Sequence, residues 1–110
     1  MIEDTITAIE ARIQAADSIS EDRRRDLLEL LATLKTQVAE LSKTHSDQAK
    51  SIAGFTQVST HEATRTLKNP ELLELSLKGL TSSVSEFEES HPQLVQLVNS
   101  ISNMLASLGI

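Results

Sequence analysis

The 110-residue sequence contains no cysteine, tryptophan or tyrosine and only two phenylalanines. Without cysteine the chain cannot form a disulfide, a thiolate metal site or a cysteine nucleophile. So few aromatic rings leave almost no surface for stacking on bases or on a flat cofactor. These absences argue against most enzyme classes.

Basic residues and long apolar runs are also scarce. The 10 Lys and Arg residues are outnumbered by 16 Asp and Glu, which gives a formal net charge of −6. Such a chain is repelled by nucleic acid and anionic lipid. No apolar run approaches the roughly 20 residues of a membrane span, and Met1–Asp4 does not begin a signal peptide. We therefore expect a cytoplasmic protein with no nucleic-acid or membrane partner.

Helix formers fill the intervals between three glycines and two prolines, so the sequence predicts an all-α protein. Isoleucines spaced by four and three residues predict a short first helix over about residues 2–16. Ser20, followed by Glu21 and Asp22, is a good N-cap, so a second helix begins near residue 21. The apolar seam of this second helix is Leu27, Leu31, Leu34, Val38 and Leu41.

The same 4-3 spacing of apolar residues predicts a long antiparallel helical hairpin with arms over about 21–68 and 70–108. Asn69 and Pro70 end the first arm and start the second, as N-cap and first helical residue. Candidate breaks lie near 43–46 and 90–92, and antiparallel pairing places them opposite each other, with His45 near Pro92. We expect the arms to stay roughly collinear across Pro92; alternatively, the chain folds at both breaks into a four- or five-helix monomer. With the N-terminal helix, the hairpin forms a helical bundle and one domain, residues 1–110.

One half of this hairpin has only two helices and leaves an apolar face uncovered. The predicted interaction residues on that face are Ile52, Phe55, Leu73, Leu77, Leu80, Val84 and Phe87. Because helices need tertiary packing for stability, we expect a second copy to cover them. The sequence thus predicts a homodimer, or else an unidentified protein partner on the same face.

Two further patterns concern packing and helix ends. Thr56, Thr60 and Thr64 recur every four residues, and such small side chains predict a close contact between helices, either within the chain or between copies. At the predicted bend before Pro92, we expect the ring of His91 to cap a freed backbone group. Gly109 is expected to end the last helix in a left-handed conformation, with Ile110 folding back onto Leu105.

Candidate chemistry is limited to one weak motif. Glu88 and His91 have the i, i+3 spacing of di-metal carboxylate bundles, which need two such motifs. The segment His61–Arg65 lacks the second histidine of a zinc protease motif. No nucleophile with a neighbouring base and no glycine-rich phosphate loop is present. We therefore predict a non-enzymatic protein without a cofactor, with a metal-binding bundle using Glu88 and His91 as an alternative.

The segment from Phe87 to Pro92, followed by Leu94 and a terminal Gly109-Ile110, resembles an uncharacterised bacterial helical family, a domain of unknown function. That family has a C-terminal FE-x-SHP-x-L element and a final Gly-Ile. Ser51–Phe55 and His61–Arg65 extend the resemblance over roughly residues 49–110. It implies a bacterial, cytoplasmic, helical protein and no activity. The function predicted overall is a helical interaction or scaffold protein, with a small antitoxin-like regulator as a further alternative.

Overall fold

A computed structural model describes residues 2–109, and these residues form five α-helices joined by short connections. The helices are α1 (Ile2–Ala15), α2 (Glu21–Leu41), α3 (Ser46–Thr64), α4 (Pro70–Val84) and α5 (Pro92–Leu108). A 3₁₀ turn over Ser85–Phe87 follows α4 directly. The predicted all-α helical bundle is confirmed.

Both arms of the predicted hairpin are broken at the candidate breaks. The chain leaves the helix between Leu41 and Ser46, and again between Phe87 and Pro92. An unbroken arm of 48 residues would be about 70 Å long. The longest dimension of the bundle is 37 Å, so each arm is folded back on itself. The chain adopts the five-helix alternative.

The antiparallel pairing of the two arms survives this folding. Helix α2 packs beside α5, and α3 packs beside α4, as the hairpin predicted. Helix α4 also packs against α5, so the expected collinearity across Pro92 is wrong. Helix α1 lies against both α2 and α3 and closes the remaining side. Apolar seams from all five helices therefore meet in one core.

The predicted seams supply that core. Ile6, Ile9 and Ile13 of α1 are at most 2% exposed, and the five seam residues of α2 are at most 4% exposed. Helix α5 contributes Leu94, Leu97, Val98, Ile101 and Leu105. Burying one aliphatic side chain of this kind contributes about 1.5–3 kcal/mol, so these seams dominate the stability of the bundle.

Local side-chain contacts fix the corner between α1 and α2. Ser20 is the N-cap of α2, as predicted, and its Oγ accepts a hydrogen bond from the backbone N–H of Arg23 at 3.3 Å. The Arg24 side chain donates to the carbonyl oxygens of Ile13, at 3.3 Å, and Ala16, and it pairs with Glu21. Arg24 thereby satisfies carbonyl groups that the end of α1 leaves without helical partners.

The connection between α3 and α4 is longer than the predicted turn. Helix α3 ends at Thr64 rather than near residue 68, and the Lys68 side chain donates to the Ala63 carbonyl. Asn69 is the N-cap of α4, as predicted, with its Oδ1 accepting from the N–H of Leu72 at 3.1 Å. Pro70 is the first helical residue.

Small residues line the inner face of α3. Thr56, Ser59 and Thr60 are at most 1% exposed, so the predicted close contact runs within the chain. The Thr56 hydroxyl donates to the Ile52 carbonyl at 2.7 Å, which satisfies it inside its own helix. Thr64 also accepts a hydrogen bond from Arg12 Nε of α1, at 2.8 Å. This face allows α1 and α4 to pack closely on either side of α3.

Gly109 ends α5, but not in the predicted left-handed conformation. Its φ is −82°, and its N–H donates to the Leu105 carbonyl at 3.1 Å. A side chain here would meet the end of the Leu73 side chain, so the end of α5 packs closely against the start of α4. The predicted contact of Ile110 lies outside the described residues.

Candidate functional site

The two breaks meet at one end of the bundle and form a cluster of three rings. The ring centroids of His45 and His91 are 6.3 Å apart, and Phe87 lies 5.4 Å from His45 and 5.3 Å from His91. All three pairs are edge-to-face, the arrangement that the quadrupoles of aromatic rings prefer. The prediction that the two breaks face each other is therefore confirmed. We call this group the histidine corner.

The two histidines occupy equivalent positions. His45 precedes α3 with φ −133° and ψ 62°, and His91 precedes α5 with φ −139° and ψ 62°. Neither ring caps its helix; His45 Nδ1 bonds Thr44 Oγ1 at 2.8 Å, and His91 Nδ1 bonds Ser90 Oγ at 2.9 Å. His91 and Pro92 do lie at a chain break, as predicted. The expected hydrogen bond from the His91 ring to a freed backbone group is not formed.

The chemistry available at the histidine corner is modest. Within residues 2–109, no three His, Asp or Glu side chains are grouped closely enough to hold a metal ion, so Glu88 and His91 gain no further ligand. Ser90 and His91 form a hydroxyl–imidazole pair, but no carboxylate in this range bonds the other ring nitrogen to orient it. A cleft of about 710 Å³ adjoins the ring of His91, between the end of α2 and the start of α5.

The predicted interaction residues fall into two groups. Five are at most 7% exposed and belong to the core of the single chain: Ile52, Leu73, Leu80, Val84 and Phe87. Phe55 is 40% exposed, and Leu77 is partly exposed on the other side of α4. The uncovered face from which we predicted a homodimer is thus largely covered by the chain itself. Folding at the histidine corner is the reason, because it brings α5 and α1 against that face.

A different apolar surface remains on the outside of α3 and α4. Its residues are Phe55 and Val58 of α3, 40% and 48% exposed, and Leu72 and Leu75 of α4, 42% and 58% exposed. The ring of Phe55 lies over Gly79, where a side chain would collide with it. Leu75 precedes Gly79 by one helical turn and Leu72 by about two, so these two leucines border the same seam as Phe55. Val58 follows Phe55 by one turn on the outer side of α3 and also lines a depression against α1. We call these four residues the α3–α4 surface.

A second apolar depression follows the other side of α4. It is a groove of about 1090 Å³ between α4 and α5, with Leu73, Leu77 and Ala106 among its walls. The Oγ of Ser102, which also lines it, has no hydrogen-bond partner among the described residues. The largest apolar side chains of the groove, Leu73 and Leu77, are buried and half-buried.

The sequence contains a signal for the α3–α4 surface outside the apolar seam. Helix α4 carries leucines at 72, 73, 75, 77 and 80. These leucines extend around more of the helix than one buried stripe can accommodate. A helix that is apolar on more than one side buries one side in its own core and leaves another for a partner.

Comparison with known families adds one finding to this geometry. The model of a family described as a domain of unknown function (DUF4404) matches residues 2–110. The chain belongs to the DUF4404 family. The match includes the N-terminal third of this DUF4404 protein, which the predicted resemblance over 49–110 left out. Neither the comparison with curated proteins nor that with solved structures finds a match.

The family description names no activity. In the part of the chain that the structure describes, no helix of the DUF4404 protein combines the length and apolar character of a membrane span.

Proposed function

We propose that this DUF4404 protein is a non-enzymatic interaction or scaffold protein that binds another protein through the α3–α4 surface. The observation that carries the proposal is the exposure of four large apolar side chains, each 40–58% accessible, on one pair of helices. Isolated exposed apolar residues are ordinary on protein surfaces, whereas several large ones exposed on one pair of helices favour an interaction site.

The same four residues do not pack in the core of the chain, because the seams of α3 and α4 already fill the interior. Leu73, Leu80 and Val84 occupy the inner side of α4. Ile52 and Ala53 do the same for α3. Covering Phe55, Val58, Leu72 and Leu75 therefore requires a second molecule.

The limited chemistry available at the histidine corner supports a non-enzymatic role. Its hydroxyl–imidazole pairs join neighbouring residues in sequence, and each uses Nδ1 of the ring. A nucleophile needs a base that is itself oriented by a third group, and none of the described residues supplies that group here. The resemblance of the Phe87–Pro92 element supports placing the protein in the bacterial cytoplasm as part of the same proposal.

Photo-crosslinking in cells of the source organism tests the proposal. A photoreactive amino acid replaces Leu75, and the control position is Thr33, which is exposed on α2. We expect a discrete adduct from position 75, none from position 33, and loss of the adduct when Leu72→Glu is added. The absence of any adduct from position 75, or an adduct that Leu72→Glu leaves unchanged, would contradict binding through this surface.

A further inference from the structure

The partner that best fits the α3–α4 surface is a second copy of the same chain. We propose that two copies associate through α4 of each, antiparallel about a two-fold axis at Leu75, with Phe55 of each copy packing against Leu72 of the other. This inference rests on the proposed function, since it names the partner of the same surface.

The register follows from the positions of the exposed side chains on α4. In a two-fold antiparallel contact, residue i of one copy faces residue j of the other and the reverse also holds. If Leu75 meets its own symmetry mate, facing residue numbers sum to about 150. Gly79 of one copy then lies opposite Glu71 of the other, beside Leu72. Because the ring of Phe55 covers Gly79, that ring packs against Leu72 of the second copy in this register.

The charges that flank this stripe are self-complementary in the same register. Lys78 comes beside Leu72 of the second copy and within one residue of its Glu71. Within one chain Lys78 Nζ pairs with Glu74 Oε1 at 3.2 Å, and both side chains are about 70% exposed, so the lysine can reach a second carboxylate. Glu71 is exposed and forms no ion pair among residues 2–109. Two Glu71–Lys78 pairs related by the axis would bracket the apolar centre.

The local charge balance also favours this edge of the molecule as the place where a second copy binds. The whole chain carries a formal charge of −6, which makes two copies repel at long range. Next to Leu75 on α4, Glu71 and Lys78 contribute one charge of each sign, while Lys68 and Glu74 line the groove on the other side of α4. The edge is therefore one place where two acidic chains approach without direct repulsion between like charges.

The size of the surface sets the strength of the association. A patch of four partly exposed side chains is on the order of 300–600 Å². A standard stable interface buries about 800 Å² on each partner. The dimer should therefore be reversible, with dissociation in the micromolar range, rather than obligate.

Sedimentation equilibrium of the purified full chain tests the inference over about 1–500 µM, a range that brackets micromolar dissociation. The wild type should pass from its 12.0 kDa monomer towards twice that mass as concentration rises. Leu75→Glu places two carboxylates at the axis and should weaken association tenfold or more. The matched control is Thr33→Glu, which adds the same charge at an exposed position on α2, away from α3 and α4, and it should leave association unchanged.

A charge exchange tests the register itself. Lys78→Glu should weaken the dimer, and the double variant Glu71→Lys/Lys78→Glu should restore it, because each copy then supplies the opposite partner. Circular dichroism confirms that the variants fold. A dimer that resists Leu75→Glu, or a double variant no better than Lys78→Glu, would overturn the proposed arrangement. A wild type that stays monomeric at every concentration, together with a photo-crosslinked adduct of some other mass, would overturn the second copy while leaving the proposed function standing.

Discussion

A buried serine without a hydrogen-bond partner gives the sharpest test of how α3 packs. Ser59 is 0% exposed, and its Oγ has no partner among the described residues. Ser76, near the middle of α4, is 6% exposed, but its Oγ donates to the Leu73 carbonyl at 2.8 Å. The two serines form a matched pair, because both are buried inside helices and differ in whether the hydroxyl is satisfied.

The expected effects of the two alanine substitutions follow from that difference. Serine to alanine gains about 0.5 kcal/mol of helix propensity at either site. At Ser59 the change also removes an unsatisfied buried hydroxyl, whose burial costs about 1–3 kcal/mol, less a small cost for the void. At Ser76 it removes a hydrogen bond with a net value of about 1 kcal/mol. We therefore expect Ser59→Ala to raise the free energy of unfolding by about 1–3 kcal/mol, and Ser76→Ala to lower it by about 0.5 kcal/mol.

Thermal unfolding followed by circular dichroism measures both variants. For a chain of this size, 1 kcal/mol corresponds to about 4–8 °C in the melting temperature. Ser59→Ala should thus melt several degrees above Ser76→Ala. If Ser59→Ala is no more stable than Ser76→Ala, the inner face of α3 is not packed as described.

Three further substitutions have defined outcomes. Arg24→Ala should lower the free energy of unfolding in urea by about 2 kcal/mol, because it removes charged hydrogen bonds to the end of α1. Arg25→Ala, whose ion pairs are exposed, should lower it by less than about 0.5 kcal/mol. Equal losses in the two variants would refute the capping role of Arg24. Leu80→Ala should lower the free energy of unfolding by about 2–5 kcal/mol, since this predicted interaction residue is 0% exposed in the single chain, and a loss below about 1 kcal/mol would place it outside the core. Gly79→Ala should raise the melting temperature through a gain of up to about 1 kcal/mol in helix propensity. It should also displace the ring of Phe55 and so weaken self-association, measured by light scattering. Unchanged association would show that the ring is not part of the contact.

Helix starts were predictable because they depend on local chemistry. Ser20 and Asn69-Pro70 mark the starts of α2 and α4 in the positions that the sequence indicated, and Pro92, where a bend was predicted, starts α5. Each cap or proline acts on backbone groups within one turn, so its effect needs no knowledge of the rest of the fold. Core membership was predictable for a similar reason, since the 4-3 spacing fixes which side of each helix is apolar.

The way the helices fold together was not predictable from the same pattern. An apolar seam that keeps its phase across a break says which residues are buried, but not which helix buries them. The break at His91 therefore left collinear and folded arms equally consistent with the spacing. The choice depends on tertiary contacts such as the ring cluster of His45, Phe87 and His91, which join residues far apart in sequence.

The candidate site was predicted only in part for that reason. Phe55 is both a predicted interaction residue and a member of the α3–α4 surface. Leu80 and Val84 became core residues once α5 folded back against α4. Leu72 and Leu75 lie off the seam, so the 4-3 spacing does not distinguish them from other exposed positions.

Chemical-shift changes on dilution test the central claim most directly, because they report which residues meet a partner surface without any substitution. Amide spectra of ¹⁵N-labelled protein would be recorded across the concentration range of association. The account predicts that concentration-dependent shifts cluster at Phe55, Val58, Leu72 and Leu75 and their helical neighbours. Shifts concentrated at the histidine corner or in the groove between α4 and α5, with none at these four residues, would contradict it.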